Sequence, residues 1–211
     1  MILSDREIRA AAARGLIGLY PLPDDPRRWS PTSVDLTLDA EIRPWKLLEG
    51  ADEDRVIDPF SPSFNSNLLV NKHTRPLDCT GGFVIRPHEL VLGWTVEWIR
   101  LPHTSRIGAR VEGKSSLARI GLGVHVTAPT IHPGFGIDRG NPNHPGSPIR
   151  LEIWNAGPLE IRLTKGMPIC QILFEEVHGV PEGGYAGQFS VQGPEPSSEG
   201  GKVTPKRRRK Q

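Results

Sequence analysis

The densest chemistry in this chain of 211 residues lies in the run Gly113-Lys114-Ser115-Ser116-Leu117-Ala118-Arg119. A glycine lets a ligand approach the backbone, and two adjacent hydroxyls with their amides can supply donors to an anion. Lys114 and Arg119 bring positive charge to the same place, and a guanidinium can make two parallel bonds to a phosphate. The Gly-x4-Gly-Lys-Ser/Thr spacing of a P-loop is absent, and taken alone the run also suits an ordinary helix start. Downstream come Val124-His125-Val126-Thr127-Ala128, Ile131-His132-Pro133-Gly134-Phe135 and Ile149-Arg150-Leu151-Glu152-Ile153-Trp154-Asn155. In an extended chain Leu151 and Ile153 share one face and Glu152 takes the other. A carboxylate so placed is either solvated or enclosed for use.

The elements that must hold these groups read mainly as strands. Val34, Leu36 and Leu38 alternate with polar residues, and 83–85, 90–92, 96–99, 107–111, 149–153, 161–163 and 169–174 are further strand candidates. Arg86-Pro87, Leu101-Pro102, Asn155 to Pro158 and Lys165-Gly166 punctuate them, which predicts a sandwich or barrel. At the N-terminus Ser4 and Glu7 have capping-box spacing. Ile8, Ala11, Ala12 and Leu16 recur at helical intervals, with Gly15 as a stop. Residues 20–31 read as a connecting loop. Residues 44–78 read as a polar surface excursion with a short strand near Leu68 to Val70. The Gly/Pro/Asn-rich stretch 133–148 is long for a structureless loop, and such loops are often functional.

Composition bounds the function. Apolar content of 36% and charged content of 24% suit a soluble globular domain. No stretch approaches the ~20 apolar residues of a membrane helix, and the N-terminus lacks a secretory pattern, so a cytoplasmic protein without a membrane partner is expected. Cys79 and Cys170 have no CxxC partners, which predicts two reduced thiols and no metal site or disulfide. The net charge is +2, but Lys206 to Lys210 (KRRRK) supplies more than all of it. The body is therefore mildly acidic and lacks the basic footprint of a nucleic-acid-binding domain. Residues 197–211 are expected to form a disordered basic tail.

In order along the chain, MILSDREIR, PTSVDL, EGKSSLARIGL with VHVTA, I-x-PGF, LEIWN-x-G and GMPICQILF resemble the dCTP deaminase family of the trimeric dUTPase-like superfamily. The likeness runs from Met1 to Pro196. It implies a distorted, jelly-roll-like β-barrel of dUTPase type with a short N-terminal helix, assembled as a homotrimer with active sites between subunits. Ser115, Ser116 and Arg119 match the phosphate- and base-contacting motif, in which Lys114, Leu117 and Ala118 also lie. Glu152, flanked by Arg150 and Leu151, matches the catalytic carboxylate, with Ser115 and Arg119 as its catalytic partners. Gln171 matches a position lining the subunit interface. Tyr185 and Gln192 resemble triphosphate-side contacts on a segment that closes over the nucleotide.

The implied activity is zinc-independent hydrolysis of a C–N bond of a cyclic amidine, dCTP and water giving dUTP and ammonia. One carboxylate serves as base and then acid, a role worth ~10²–10⁴ in rate. The H-x-E…P-C-x-x-C pattern of zinc deaminases is missing, and Mg²⁺ is expected only as a companion of the nucleotide phosphates. Three positions depart from the family. His132 stands where the family has Asp, which argues against diphosphatase activity. The loop 136–148 is longer than the norm. Gln188-Phe189 replaces a lysine before an aromatic, which should weaken triphosphate binding. The alternatives are a dUTP diphosphatase, a non-catalytic deoxynucleotide-binding regulatory trimer, and nucleic-acid binding through the tail.

Overall fold

The computed structural model describes residues 1–46, 56–124, 127–138, 140–141, 144–187 and 189–193. The chain opens with helix α1 (Asp5–Ala13), then β1 (Gly18–Tyr20), a 3₁₀ turn (Pro26–Arg28), β2 (Trp29–Ser30) and the long β3 (Ser33–Pro44). Helix α2 (Ser66–His73), β4 (Leu77–Asp78), β5 (Phe83–Ile85) and β6 (Leu90–Arg100) follow, and then β7 (Ile107–Gly113) and the single turn α3 (Ser115–Ala118). The rest is β8 (Leu122–Val124), β9 (Thr130–Ile131), β10 (Ser147–Asn155), β11 (Ile161–Leu163) and β12 (Pro168–Glu176).

The main sheet is antiparallel in the order β8-β10-β6-β3-β12-β7-β9, with β1 on β6 and β2 and β4 on β3; β5 and β11 form a separate ribbon. β7 and β8 stand near opposite ends of that order, yet only residues 114–121 join them. The sheet must therefore curl until its ends approach, and α3 spans the gap. This is a mainly β, curled half-barrel, within the sandwich-or-barrel range predicted by the strand pattern and in line with the distorted barrel that the resemblance implies. Its interior is filled by Leu36, Leu38, Ile42, Leu151, Ile153, Ile172 and Phe174, all fully buried, each such burial worth about 1.5–3 kcal/mol.

The capping box forms as expected. The Glu7 side chain accepts from the Ser4 amide at 2.8 Å, the Ser4 hydroxyl accepts from the Glu7 amide, and Ile8 and Ala11 are buried against the core. Two local expectations fail. The segment around Leu68 to Val70 is not a strand but part of α2, because Asn65 caps it by accepting from the Leu68 amide at 3.1 Å. The stretches 90–92 and 96–99 are one strand, β6. Gly93 continues the strand between them, and a Cβ there would lie 3.1 Å from Leu38 Cδ1 and 3.2 Å from Ile153 Cδ1. Facing side chains fill the space that a larger residue would occupy.

Candidate active site

The Lys114–Arg119 run begins where β7 ends. Ser115, Ser116, Ala118 and Arg119 are exposed, while Leu117 packs partly against the core. Gln171 lies on β12 between Asp35 of β3 and Glu112 of β7. Its Nε2 donates to the Gly113 carbonyl at 3.1 Å, and its Oε1 accepts from the Ser33 hydroxyl at 2.7 Å. The Lys114 ammonium pairs with the Asp35 carboxylate. Beneath this pair Arg28 donates to the Asp35 carbonyl and, at 2.6 Å, to Glu97. Glu97 is fully buried and also accepts from the Thr37 amide and hydroxyl, both at 2.8 Å. Cys170 lies in the same strand as Gln171. Burial, and then the nearby Glu97 and Asp35 carboxylates, hold its thiol well above the ordinary thiol range.

A second group lies on the outer face of β10. Ile149, Leu151 and Ile153 enter the core, and Arg150, Glu152 and Trp154 take the other face. The side chain of Leu151 is thus withdrawn from any ligand, leaving its backbone as the only contact it can offer. Glu152 is half-buried, opposite Leu92 of β6, which is in turn opposite Arg43 of β3. The Arg150 guanidinium sits 4.1 Å from the centroid of the Trp94 ring, a cation–π arrangement. The Trp94 N–H donates to Glu41 at 3.3 Å, and Glu41 holds Arg43 at 2.8 Å. The Trp154 indole covers Gly123, where a Cβ would come within 1.9 Å of Nε1. The residue before β8 is tied to the end of β10 by the Ala156 amide donating to the Gly121 carbonyl at 2.8 Å.

The third group joins the C-terminal segment to the long loop. The His132 and Tyr185 rings are 5.5 Å apart, tilted by 42°. They line a cavity of about 530 Å³ with Ile131, Glu175, Glu176 and Val177. The Tyr185 amide donates to the Pro133 carbonyl at 2.8 Å, and the Gly136 amide to the Ser190 carbonyl at 2.6 Å. Gln192 accepts from the Arg150 amide at 3.3 Å, and its own amide donates to the Ser147 hydroxyl at 3.0 Å. The segment therefore reaches the strand that carries Glu152. Gln188, His125 and the KRRRK tail lie outside the described residues.

Sequence reasoning missed Arg28, Ser33, Asp35, Glu41, Arg43, Trp94 and Glu97. Ser33 and Asp35 lie in the PTSVDL run that carries the resemblance, and Glu97 carried a local signal, a carboxylate inside the otherwise apolar stretch Val96 to Ile99. Together the three groups offer hydroxyls and a guanidinium for phosphate oxygens, a half-buried carboxylate for proton transfer, and a C-terminal strap laid across the strand that bears it. Against known families, residues 2–177 match the model described as dCTP deaminase-like. The chain belongs to the dCTP deaminase-like family. Among its relatives, the protein named "dCTP deaminase, dUMP-forming" from Methanothermobacter thermautotrophicus is 36% identical over 87% of this chain and 83% of its own. One of the same name from Beutenbergia cavernae is 38% identical over 88% of this chain and 84% of its own. The crystal structure of 2'-deoxycytidine 5'-triphosphate deaminase from Agrobacterium tumefaciens shares the fold, with a TM-score of 0.58 and 21% identity. That likeness covers 84% of this chain and 48% of the Agrobacterium chain.

Proposed function

We propose that this member of the family deaminates dCTP hydrolytically, with Glu152 as base and then acid. Glu152 takes a proton from water, the resulting hydroxide adds to C4 of the cytosine, and the carboxyl returns the proton to the departing ammonia. The observation that carries this reading is the half-buried position of Glu152 on the outer face of β10, two residues from the Arg150–Trp94 stack and on the strand that Gln192 reaches at Arg150 and Ser147. Arg119 supports the charge that develops at the tetrahedral carbon or fixes the attacking water, and Ser115 and Ser116 hold the nucleotide. The donors around Ser115 are hydroxyls, amides and a guanidinium, a set suited to phosphate oxygens rather than to a divalent ion. Mg²⁺ would therefore travel with the phosphates. Cys79 and Cys170 are both fully buried, so neither thiol is presented to the site as a zinc ligand. The zinc-independent reading rests on Glu152.

The exposed Ser115, Ser116 and Arg119, together with exposed apolar Leu90, Ile120 and Trp154, support completion of the site by neighbouring copies in a homotrimer. A cytoplasmic setting fits a nucleotide substrate; no described helix is long and apolar enough to cross a membrane.

The product has two readings. His132 in the Asp position favours dUTP, whereas the names of the relatives favour dUMP, which requires loss of pyrophosphate as well. Purified protein with Mg²⁺ and dCTP, dCDP, dCMP, CTP or dUTP, assayed for ammonia and by chromatography of the nucleotides, separates them. Ammonia with dUTP supports the first product, and ammonia with dUMP and pyrophosphate the second. Tight nucleotide binding with no ammonia from any of them would instead favour a non-catalytic sensor.

A further inference from the structure

Lys114 is the residue of the Gly113–Arg119 run that a phosphate would be expected to attract first, yet its ammonium is turned inward to Asp35. The two side chains are 24% and 11% exposed. Asp35 cannot follow the lysine outward, because Arg28 holds its carbonyl and β3 pairs it with Gln171 of β12. If Lys114 swung out to a phosphate, it would leave a nearly buried carboxylate unpaired in a pocket that already contains the buried Glu97. Such a stranded charge costs more than an exposed phosphate contact returns. Immediately before Lys114, the Gly113 carbonyl is held by Gln171, itself held by Ser33. Two adjacent residues at the root of α3 are thus clasped from β3 and β12.

We infer that Lys114, Asp35 and Gln171 are positioning residues. They fix the root of α3 so that Ser115, Ser116 and Arg119 project toward the nucleotide, and Lys114 does not itself contact phosphate. The inference rests on the deaminase reading. It distinguishes two kinds of cation in one motif: Arg119 works outward on the ligand and Lys114 works inward on the fold.

The test compares Lys114→Met, Asp35→Asn, the double variant and Lys114→Arg with the unaltered protein. Steady-state kinetics and calorimetric binding are measured with dCTP, dCDP and dCMP. Loss of the clasp misplaces the loop, so each single variant should lose between about tenfold and a hundredfold in kcat/KM. With each nucleotide that the unaltered protein uses, Asp35→Asn should lose a factor similar to that of Lys114→Met, because both open the same clasp. The double variant should be no worse than the poorer single one, as expected for partners in one interaction, and Lys114→Arg should recover part of the loss. The double variant also removes both charges together, so it remains informative if Asp35→Asn alone fails to fold. The inference is overturned if Lys114→Met weakens dCTP while Asp35→Asn leaves it unchanged or, by releasing the lysine, tightens it. Should the unaltered protein bind these nucleotides without turning them over, the deaminase reading fails and the same comparison is read from dissociation constants alone. Binding of none of them overturns both.

Discussion

Glu97 and Glu152 are two carboxylates on neighbouring strands that differ in burial. Glu97 lies in the interior and is neutralised by Arg28 and bonded by Thr37, so its charge is fully used by the fold. Removing one partner of such a pair leaves the other uncompensated, and Glu97→Gln is expected to lower stability by about 3–5 kcal/mol, measured by urea unfolding. Glu152 is half-buried on the outer face. Glu152→Gln should still fold and should reduce ammonia release from dCTP by at least ~10²-fold. A variant with full activity would sink its assignment. At this scale Ser115, Arg119 and Glu152 could be singled out from the sequence because they stand in motifs whose order carried the resemblance. Their supporting residues could not, because Asp35, Ser33 and Glu97 acquire their roles only when β3, β6 and β12 lie side by side. Nothing in the local sequence of a strand names the residue on the next one.

At the scale of elements, the N-terminal helix was legible because its signal is local: a cap, a reciprocal bond and a periodic face within one stretch. Ser4→Ala should cost about 1 kcal/mol, seen as a lower urea midpoint. Its bonds to Ser4 hold the Glu7 carboxyl below the ordinary value of 4.5. The stabilisation from Glu7 is therefore present above that value and is lost as pH falls through the lower folded value. The division of β6 into 90–92 and 96–99 and the reading of Leu68–Val70 as a strand share one cause, since short apolar runs are ambiguous until their surroundings are known. Gly93, between the two runs, is a packing requirement within one strand, and the apolar triplet looks like a strand until Asn65 caps it as a helix. Gly93→Val should overpack the contact of Leu38 with Ile153 and cost about 1–3 kcal/mol. Gly121 is more restrictive. Its φ is +90°, and a Cβ would lie 2.2 Å from the Gly157 backbone. Gly121→Ala is thus expected to disrupt the α3–β8 junction, with loss of activity greater than that from Gly93→Val.

For the whole molecule, the two thiols give a direct readout of intactness. Cys79 and Cys170 are free and buried, and burial raises both above the ordinary thiol value. At pH 8 the native protein should therefore react with no thiol reagent on the timescale of mixing, and two thiols should appear on denaturation. The curl of the sheet was only partly legible. Many short strands predicted a closed or sandwiched β fold, but their order is set by long-range pairing that no local pattern records. That order makes the two halves of the chain interdependent. Of the later strands, β10 lies between β8 and β6, and β12 between β3 and β7, so each is flanked on both sides by earlier ones. A single cut between the exposed Gly140 and Asn141 would sever the backbone without freeing either fragment. The nicked protein should migrate as one species until denaturant is added, and two separately made fragments divided there should complement each other to restore it.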